Sequence, residues 1–146
     1  MDGNFGYYMK KISNQLDAGW NAALKSMGIT GTQLRMLEYL YECTEETSSV
    51  SHISAYFGVK HTSVLHVLRL LEDKGYIVRG QAEKGRRSRP IRLTDSGIAL
   101  VQRNENNTEI VDGIMFAGMT AQERQELLRL LKQVNDNLEK HNIKEI

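Results

Sequence analysis

Residues 49–79 read SVSHISAYFGVKHTSVLHVLRLLEDKGYIVR, and residues 80–93 continue GQAEKGRRSRPIRL. Ser49 is placed to cap a short helix through Phe57, with Ile53, Tyr56 and Phe57 as its buried side. Gly58 breaks that helix and Val59 follows. A longer helix then runs to Lys74, with Val64, Val67, Leu68 and Leu71 facing a core, and Gly75 is its stop. Tyr76–Arg79 and Pro90–Leu93 are short β-prone segments. The chain's one proline opens the second of them, where a missing N–H is tolerated, and Arg92 alternates outward. Between them Gly80–Arg89 is polar, glycine-containing and strongly basic, as a hairpin tip would be. Helix, tight turn, helix and basic hairpin together make a winged helix-turn-helix.

Outward from this stretch the chain is helical. Phe5, Tyr8, Met9, Ile12, Leu16, Trp20, Leu24 and Met27 recur every three to four residues, which predicts a helix over 5–27 ended by Gly28. Thr30 is the N-cap of a second helix with Leu34, Leu37, Leu40 and Tyr41 as its stripe. The polar run 44–49 is a loop. After the hairpin, Thr94 caps a long helix with Ile98, Val101, Thr108, Val111 and Met115 in its stripe; Gly113 and Gly118 weaken its end. Thr120-Ala121-Gln122-Glu123 is a capping box. Leu127, Leu131, Val134 and Leu138 follow in near-heptad spacing, a seam better suited to another helix than to water. The expected fold is mainly α with a small β-hairpin wing. One domain of 1–146 is expected, with a winged helix-turn-helix over about 30–94 and flanking dimerisation helices over about 1–28 and 95–146.

The charge distribution gives this pattern a direction. From Lys60 to Arg92 the chain carries nine Lys/Arg against three acids, a local net of +6. The remainder has ten Lys/Arg against fifteen acids, a net of −5. A basic island in an acidic chain suits a polyanion. A helix in the major groove reads base edges with its outward side chains. On the longer helix of the motif these are Lys60, His61, Thr62, Ser63, Leu65, His66 and Arg69. Lys60 with Thr62 or Ser63 suits phosphate at the helix start, although simple capping explains the two hydroxyls as well. Leu65 suits a thymine methyl, and His66 or Arg69 suits guanine N7 or O6. In the hairpin, Lys84, Arg86, Arg87 and Arg89 are the candidate contacts to the DNA backbone or the narrow minor groove. Tyr7, Tyr8 and Trp20 read as packing or dimer-contact residues, with a ligand pocket as the sharper reading.

Other classes have less support. No 18-residue apolar stretch spans a membrane, and the N-terminal MDGNFGYYMKK lacks a signal peptide's apolar core, so the expected location is the cytoplasm. Cys43, the one cysteine, can close no internal disulfide; it reads as a helix-end packing residue whose acidic neighbours Glu42 and Glu45 do not favour a thiolate. No glycine-rich phosphate loop, metal-ligand spacing or nucleophile motif is present, so neither an enzyme nor a cofactor or metal is expected.

The ordered segments Ile29-Thr30-x-x-Gln33-x-x-Met36-Leu37, Ile53–Val59, Leu71–Ile77, Gly85–Thr94 and Met119-Thr120-x-x-Glu123-Arg124 resemble the MarR family of bacterial transcriptional regulators over nearly the whole chain. The long helix before the winged helix separates this resemblance from PadR-like regulators. It implies a winged-helix homodimer with interlocking terminal helices that binds a palindromic operator on double-stranded DNA, mostly as a repressor. Many members release DNA when a small, often phenolic, effector or an oxidant acts on them. It further implies that Arg87 is the wing arginine of the family's D-x-R pattern, and that Thr62, Ser63, Leu65 and His66 lie at recognition-helix contacts. The acid of that pattern is Gly85 here, with Glu83 the candidate substitute, and Leu65-His66 stands where the family often has Ser-Arg. The first helix lacks the reactive cysteine of the peroxide sensors. The alternative is a winged-helix protein–protein interaction module without a DNA function.

Overall fold

The computed structural model describes residues 3–80 and 90–145. In chain order the elements are α1 (Phe5–Leu24), a 3-10 turn (Lys25–Met27), α2 (Gly31–Glu42), α3 (Val50–Phe57), α4 (His61–Asp73), β1 (Ile77–Arg79), β2 (Ile91–Leu93), α5 (Asp95–Met115), α6 (Ala121–Lys140) and a last 3-10 turn (Ile143–Glu145). The chain is therefore mainly α with a two-stranded antiparallel hairpin. Ile77 pairs with Leu93, Val78 with Arg92 and Arg79 with Ile91. Two compact units are distinguished, Met1–Asn104 and Glu105–Ile146.

In the first unit the expected caps set the helix ends. Thr30 Oγ1 accepts the Gln33 amide at 3.2 Å while Gln33 Oε1 accepts the Thr30 amide at 3.2 Å, a reciprocal capping box. Ser49 accepts the His52 amide. Gly58 and Gly75 close α3 and the α4 turn in the left-handed region, at φ 64° and 77°. After Gly75 the Tyr76 amide reaches back to the Leu71 carbonyl at 3.0 Å. That bond completes the helix stop, so β1 begins at Ile77 rather than Tyr76. Pro90 stands just before β2, and its carbonyl accepts the Gly80 amide at 2.7 Å. The α1 periodicity continues to Met27, but its last turn tightens to 3-10 before Gly28.

The core of this unit is built from Leu24, Leu37, Ile53, Val64, Leu68 and Leu71, each fully buried, with Ile77 and Ile91 supplied by the hairpin. Each such side chain contributes about 1.5–3 kcal/mol on leaving water. Trp20 and Val67 pack against its edge. α2 approaches α1 closely because Gly31 has no side chain: a Cβ there would stand 2.9 Å from Trp20 Cβ.

Three expected faces are corrected. On α3 the buried residues are Ile53 and Ser54, whereas Tyr56 is 69% exposed. The Ser54 hydroxyl turns inward to donate to the Val59 carbonyl at 2.5 Å, and Tyr56 instead lies against Tyr39, ring centroids 4.7 Å apart. On α2 Tyr41 is exposed, while Met36 and Gln33 are buried. On α5 the inward row is Gly97, Leu100, Val101 and Asn104; Ile98 is half-buried and Met115 exposed. Two members of that row are not apolar, which shifted the apparent stripe. Asn104 is buried because its amide donates to the Leu100 carbonyl at 2.9 Å and meets Met27 Sδ at 3.6 Å.

The second unit holds the rest of α5 and α6. Gly118 turns the chain at φ 81°, and Thr120 with Glu123 forms the expected capping box, with bonds of 3.1 and 2.9 Å. Arg124 lies over the Phe116 ring at 4.7 Å. No residue of α6 is buried, and Leu128, Leu130, Leu131, Val134 and Leu138 are exposed. Among the described residues, no helix is long and apolar enough to cross a membrane.

Candidate nucleic-acid interface

α4 has two distinct faces. Val64, Leu68 and Leu71 point into the core, and Lys60, His61, Thr62, Ser63, Leu65, His66 and Arg69 are all exposed. The inward spacing of four and three fixes the outward face, so the same period that builds the core also sorts the candidate contacts. Leu65 is 39% exposed, an apolar side chain left within an otherwise polar face. Lys60 occupies the N-cap, but its side chain makes no capping bond. Thr62 and Ser63 do not cap the helix either: the Ser63 amide is taken by the Lys60 carbonyl at 3.1 Å. The His61 and Thr62 amides and the two hydroxyls thus have no partner among the described residues at the positive end of the helix.

The basic residues of 60–92 separate into two groups. Lys74, Arg79 and Arg92 are engaged within the chain. Lys74 Nζ donates to the Gly28 carbonyl at 2.5 Å and to Gln33 Oε1 at 3.0 Å. Arg79 Nε stands 3.4 Å from a Glu72 oxygen and is buried without a hydrogen bond. Arg92 pairs with Glu45 at 3.1 Å on the exposed side of β2. Lys60 and Arg69 have no such partner among the described residues and stay with the outward face of α4. The expected hairpin contacts Lys84, Arg86, Arg87 and Arg89, with Gly85 and Glu83, lie outside the described residues.

Cys43 is the C-cap of α2, half-buried, its thiol directed at the Leu40 carbonyl at 3.6 Å. Burial pushes its pKa up, opposed by a hydrogen bond to Thr47 and one to backbone. This environment stabilises the thiol over the thiolate, consistent with a packing role. Beside it a cavity of about 300 Å³ is lined by Leu40, Ile91, Leu93 and Ile98, with Arg92 and Glu45 at its polar side. Of the N-terminal aromatics, Trp20 packs on the core, while Tyr7 and Tyr8 stack edge to face at 5.2 Å and stay half exposed.

A family model described as MarR family matches residues 27–88, a span that holds α2, α3, α4 and β1. HTH-type transcriptional repressors of Mycobacterium tuberculosis and Mycobacterium bovis are 28% identical over 136 residues, 93% of this chain and 96% of theirs. Over the segment that the family model matches, the chain is similar to the MarR family. Among solved structures, the MepR–DNA complex of S. aureus superposes with a TM-score of 0.83 at 23% identity, covering 92% of this chain and 96% of that one. A MarR/EmrR family regulator from Acinetobacter sp. ADP1 gives 0.85 at 22% identity, with 93% and 95% covered. These likenesses establish the winged-helix fold beyond the matched segment. The sequence pattern located the outward α4 face correctly. Lys74, counted in the basic stretch, bonds Gly28 and Gln33 instead, and hydrophobic periodicity carries no information on where a long cation finds its acceptors.

Proposed function

We propose that this protein is a MarR-family transcriptional repressor that binds double-stranded DNA as a homodimer, placing α4 of each copy in the major groove of a palindromic operator. The observation that carries the reading is the exposed row Lys60, His61, Thr62, Ser63, Leu65, His66 and Arg69 on a helix anchored by its opposite face. Lys60, Thr62 and Ser63 with the uncapped amides meet phosphate at the helix start. Leu65 packs on a thymine methyl, and His66 and Arg69 address guanine N7 and O6. Lys84, Arg86, Arg87 and Arg89 of the wing add contacts to the backbone or minor groove. The names and structures of the relatives, among them one solved with DNA, support the same assignment.

The dimer is supported by α6, where Leu128, Leu130, Leu131, Val134 and Leu138 are exposed in a single chain, Leu127 is half-buried and no residue is buried. A helix with such a seam gains stability by covering it, and a second copy of the chain supplies the matching surface. Residues of about 1–28 and 95–146 serve dimerisation and about 30–94 reads DNA, all within one functional domain. Two reading helices related by a two-fold axis address half-sites about one helical turn apart, roughly 34 Å. A small hydrophobic effector releases the operator, and the cavity of about 300 Å³ beside Cys43 is a place with room for one.

The test is a salt titration of duplex binding by wild type and by an Arg86/Arg87/Arg89→Ala variant. Each lost phosphate contact lowers the slope of log K against log salt by about 0.9, so the variant loses up to about three units. An equal slope for both proteins overturns the assignment of the wing.

A further inference from the structure

The reading helix is tied down at both ends, and the tie at its C-terminal end comes from its own cation. At the N-terminal end, Ser54 of α3 donates to the Val59 carbonyl, holding the turn that leads into α4. At the other end Lys74, the C-cap, sends its ammonium to the Gly28 carbonyl at 2.5 Å and to Gln33 Oε1 at 3.0 Å, across 46 and 41 residues of sequence. These acceptors are not incidental. Gln33 is 5% exposed, and the same oxygen receives the Thr30 amide, so it is locked in place by the α2 capping box. Gly28 is the left-handed residue that ends α1 and its 3-10 turn. An ammonium bound to fixed carbonyl-type oxygens forms short, charge-assisted bonds, stronger than neutral ones.

α4 is 13 residues long, about 20 Å, and so acts as a lever. A small tilt about the Ser54–Val59 attachment displaces its far end, and with it the base-reading side chains between. We infer that Lys74 is a positioning residue: it sets the angle of α4 against the α1–α2 turn and contributes to operator recognition without touching DNA. This inference rests on the proposed DNA-reading role of α4. It separates Lys74 from Lys60 and Arg69, which belong to the same basic stretch but have no acceptor among the described residues.

The experiment compares wild type, Lys74→Met and Lys74→Arg. Met keeps the aliphatic stem and removes the ammonium; Arg restores a donor. Without DNA, hydrogen exchange is followed at the Gly75 and Tyr76 amides, which bond the Glu72 and Leu71 carbonyls. Lys74→Met speeds exchange there by about tenfold with the denaturation midpoint unchanged, and Lys74→Arg reverses most of the effect. With duplex containing the selected operator, Lys74→Met weakens binding about tenfold while the salt slope stays at the wild-type value. Unaltered exchange at these amides overturns the tether whatever the DNA result. A salt slope lowered by about one makes Lys74 a phosphate contact and overturns the positioning role. A parallel rise in exchange at every core amide also overturns it, because the bond is then merely part of global stability. If wild type retains no DNA, the DNA-reading assignment fails on its own, and the exchange measurement still decides whether Lys74 fixes α4.

Discussion

Gly97→Ala is expected to be among the most damaging single-methyl changes in this chain. Gly97 is buried in the first turn of α5, against the entry to β1. A Cβ at this position would overlap the Tyr76 carbonyl oxygen and stand 3.2 Å from its carbon and 3.3 Å from Leu93 Cδ2. The obstruction is backbone, and that backbone cannot easily give. The Tyr76 carbonyl accepts the Thr94 amide at 3.0 Å, and Thr94 Oγ1 in turn donates to the Gly75 carbonyl at 2.6 Å. Forcing atoms into a packed site costs about 1–3 kcal/mol, with the upper end suited to a rigid obstacle. Straining the Thr94–Tyr76 bond adds about 1 kcal/mol. The better helix propensity of Ala returns about 1 kcal/mol, which leaves a net loss of about 3 kcal/mol. For a chain of this length that is a fall in Tm of roughly 10 °C. Thermal unfolding followed by circular dichroism measures it, with Gly19→Ala and Gly113→Ala as controls. Both lie inside helices, and apart from the surrounding helix backbone nothing stands within 4 Å of the added carbon. Each control is expected to gain about 0.5–1 kcal/mol. A Gly97→Ala midpoint equal to or above wild type would refute the packing argument.

Leu131 is 46% exposed in the single chain, so Leu131→Asp leaves the fold of one copy nearly as stable but places a charge in the α6 seam; sedimentation at micromolar concentration is expected to show a monomer, and a persistent dimer removes α6 from the interface. Arg92→Ala breaks only the exposed pair with Glu45, so stability changes by about 1 kcal/mol or less and the salt slope of DNA binding is unchanged; a reduced slope would place Arg92 on the DNA. Burial holds the Cys43 proton, so the thiol reacts with a disulfide reagent more slowly than free cysteine near neutral pH and gains rate only as pH rises. By linkage, the stability from that retained proton is present below the ordinary thiol pKa and is lost as pH climbs through the raised folded value. A thiol that reacts as fast as free cysteine contradicts the packing role.

The helices were legible because their caps and periods are local. Thr30, Ser49, Thr94 and Thr120 each stand where the structure starts a helix, and Gly28, Gly58, Gly75 and Gly118 where it turns the chain. The outward face of α4 followed from Val64, Leu68 and Leu71 alone. What escaped the sequence depends on residues far apart along the chain. Asn104 is buried through a bond to Leu100 and a contact with Met27, and Ser54 replaces Tyr56 on the inner side of α3 to satisfy a turn carbonyl. Both are polar residues taking apolar positions, which hydrophobic periodicity reads as solvent-facing. Lys74 counted toward the basic island but belongs to the α1–α2 turn, and Arg79 and Arg92 are likewise matched with acids. The +6 of the segment therefore overstates the charge available to a ligand, and the candidate face narrows to Lys60, Arg69 and the wing.

The central claim is that α4 reads base sequence as one of a symmetric pair. Selection of bound molecules from a pool of random duplexes at moderate salt, followed by sequencing, tests it most directly. An enriched inverted repeat with half-sites about one helical turn apart is the expected result. Retention that is salt-sensitive but leaves the pool's sequences unenriched would contradict it, reducing the basic face to a non-specific polyanion surface.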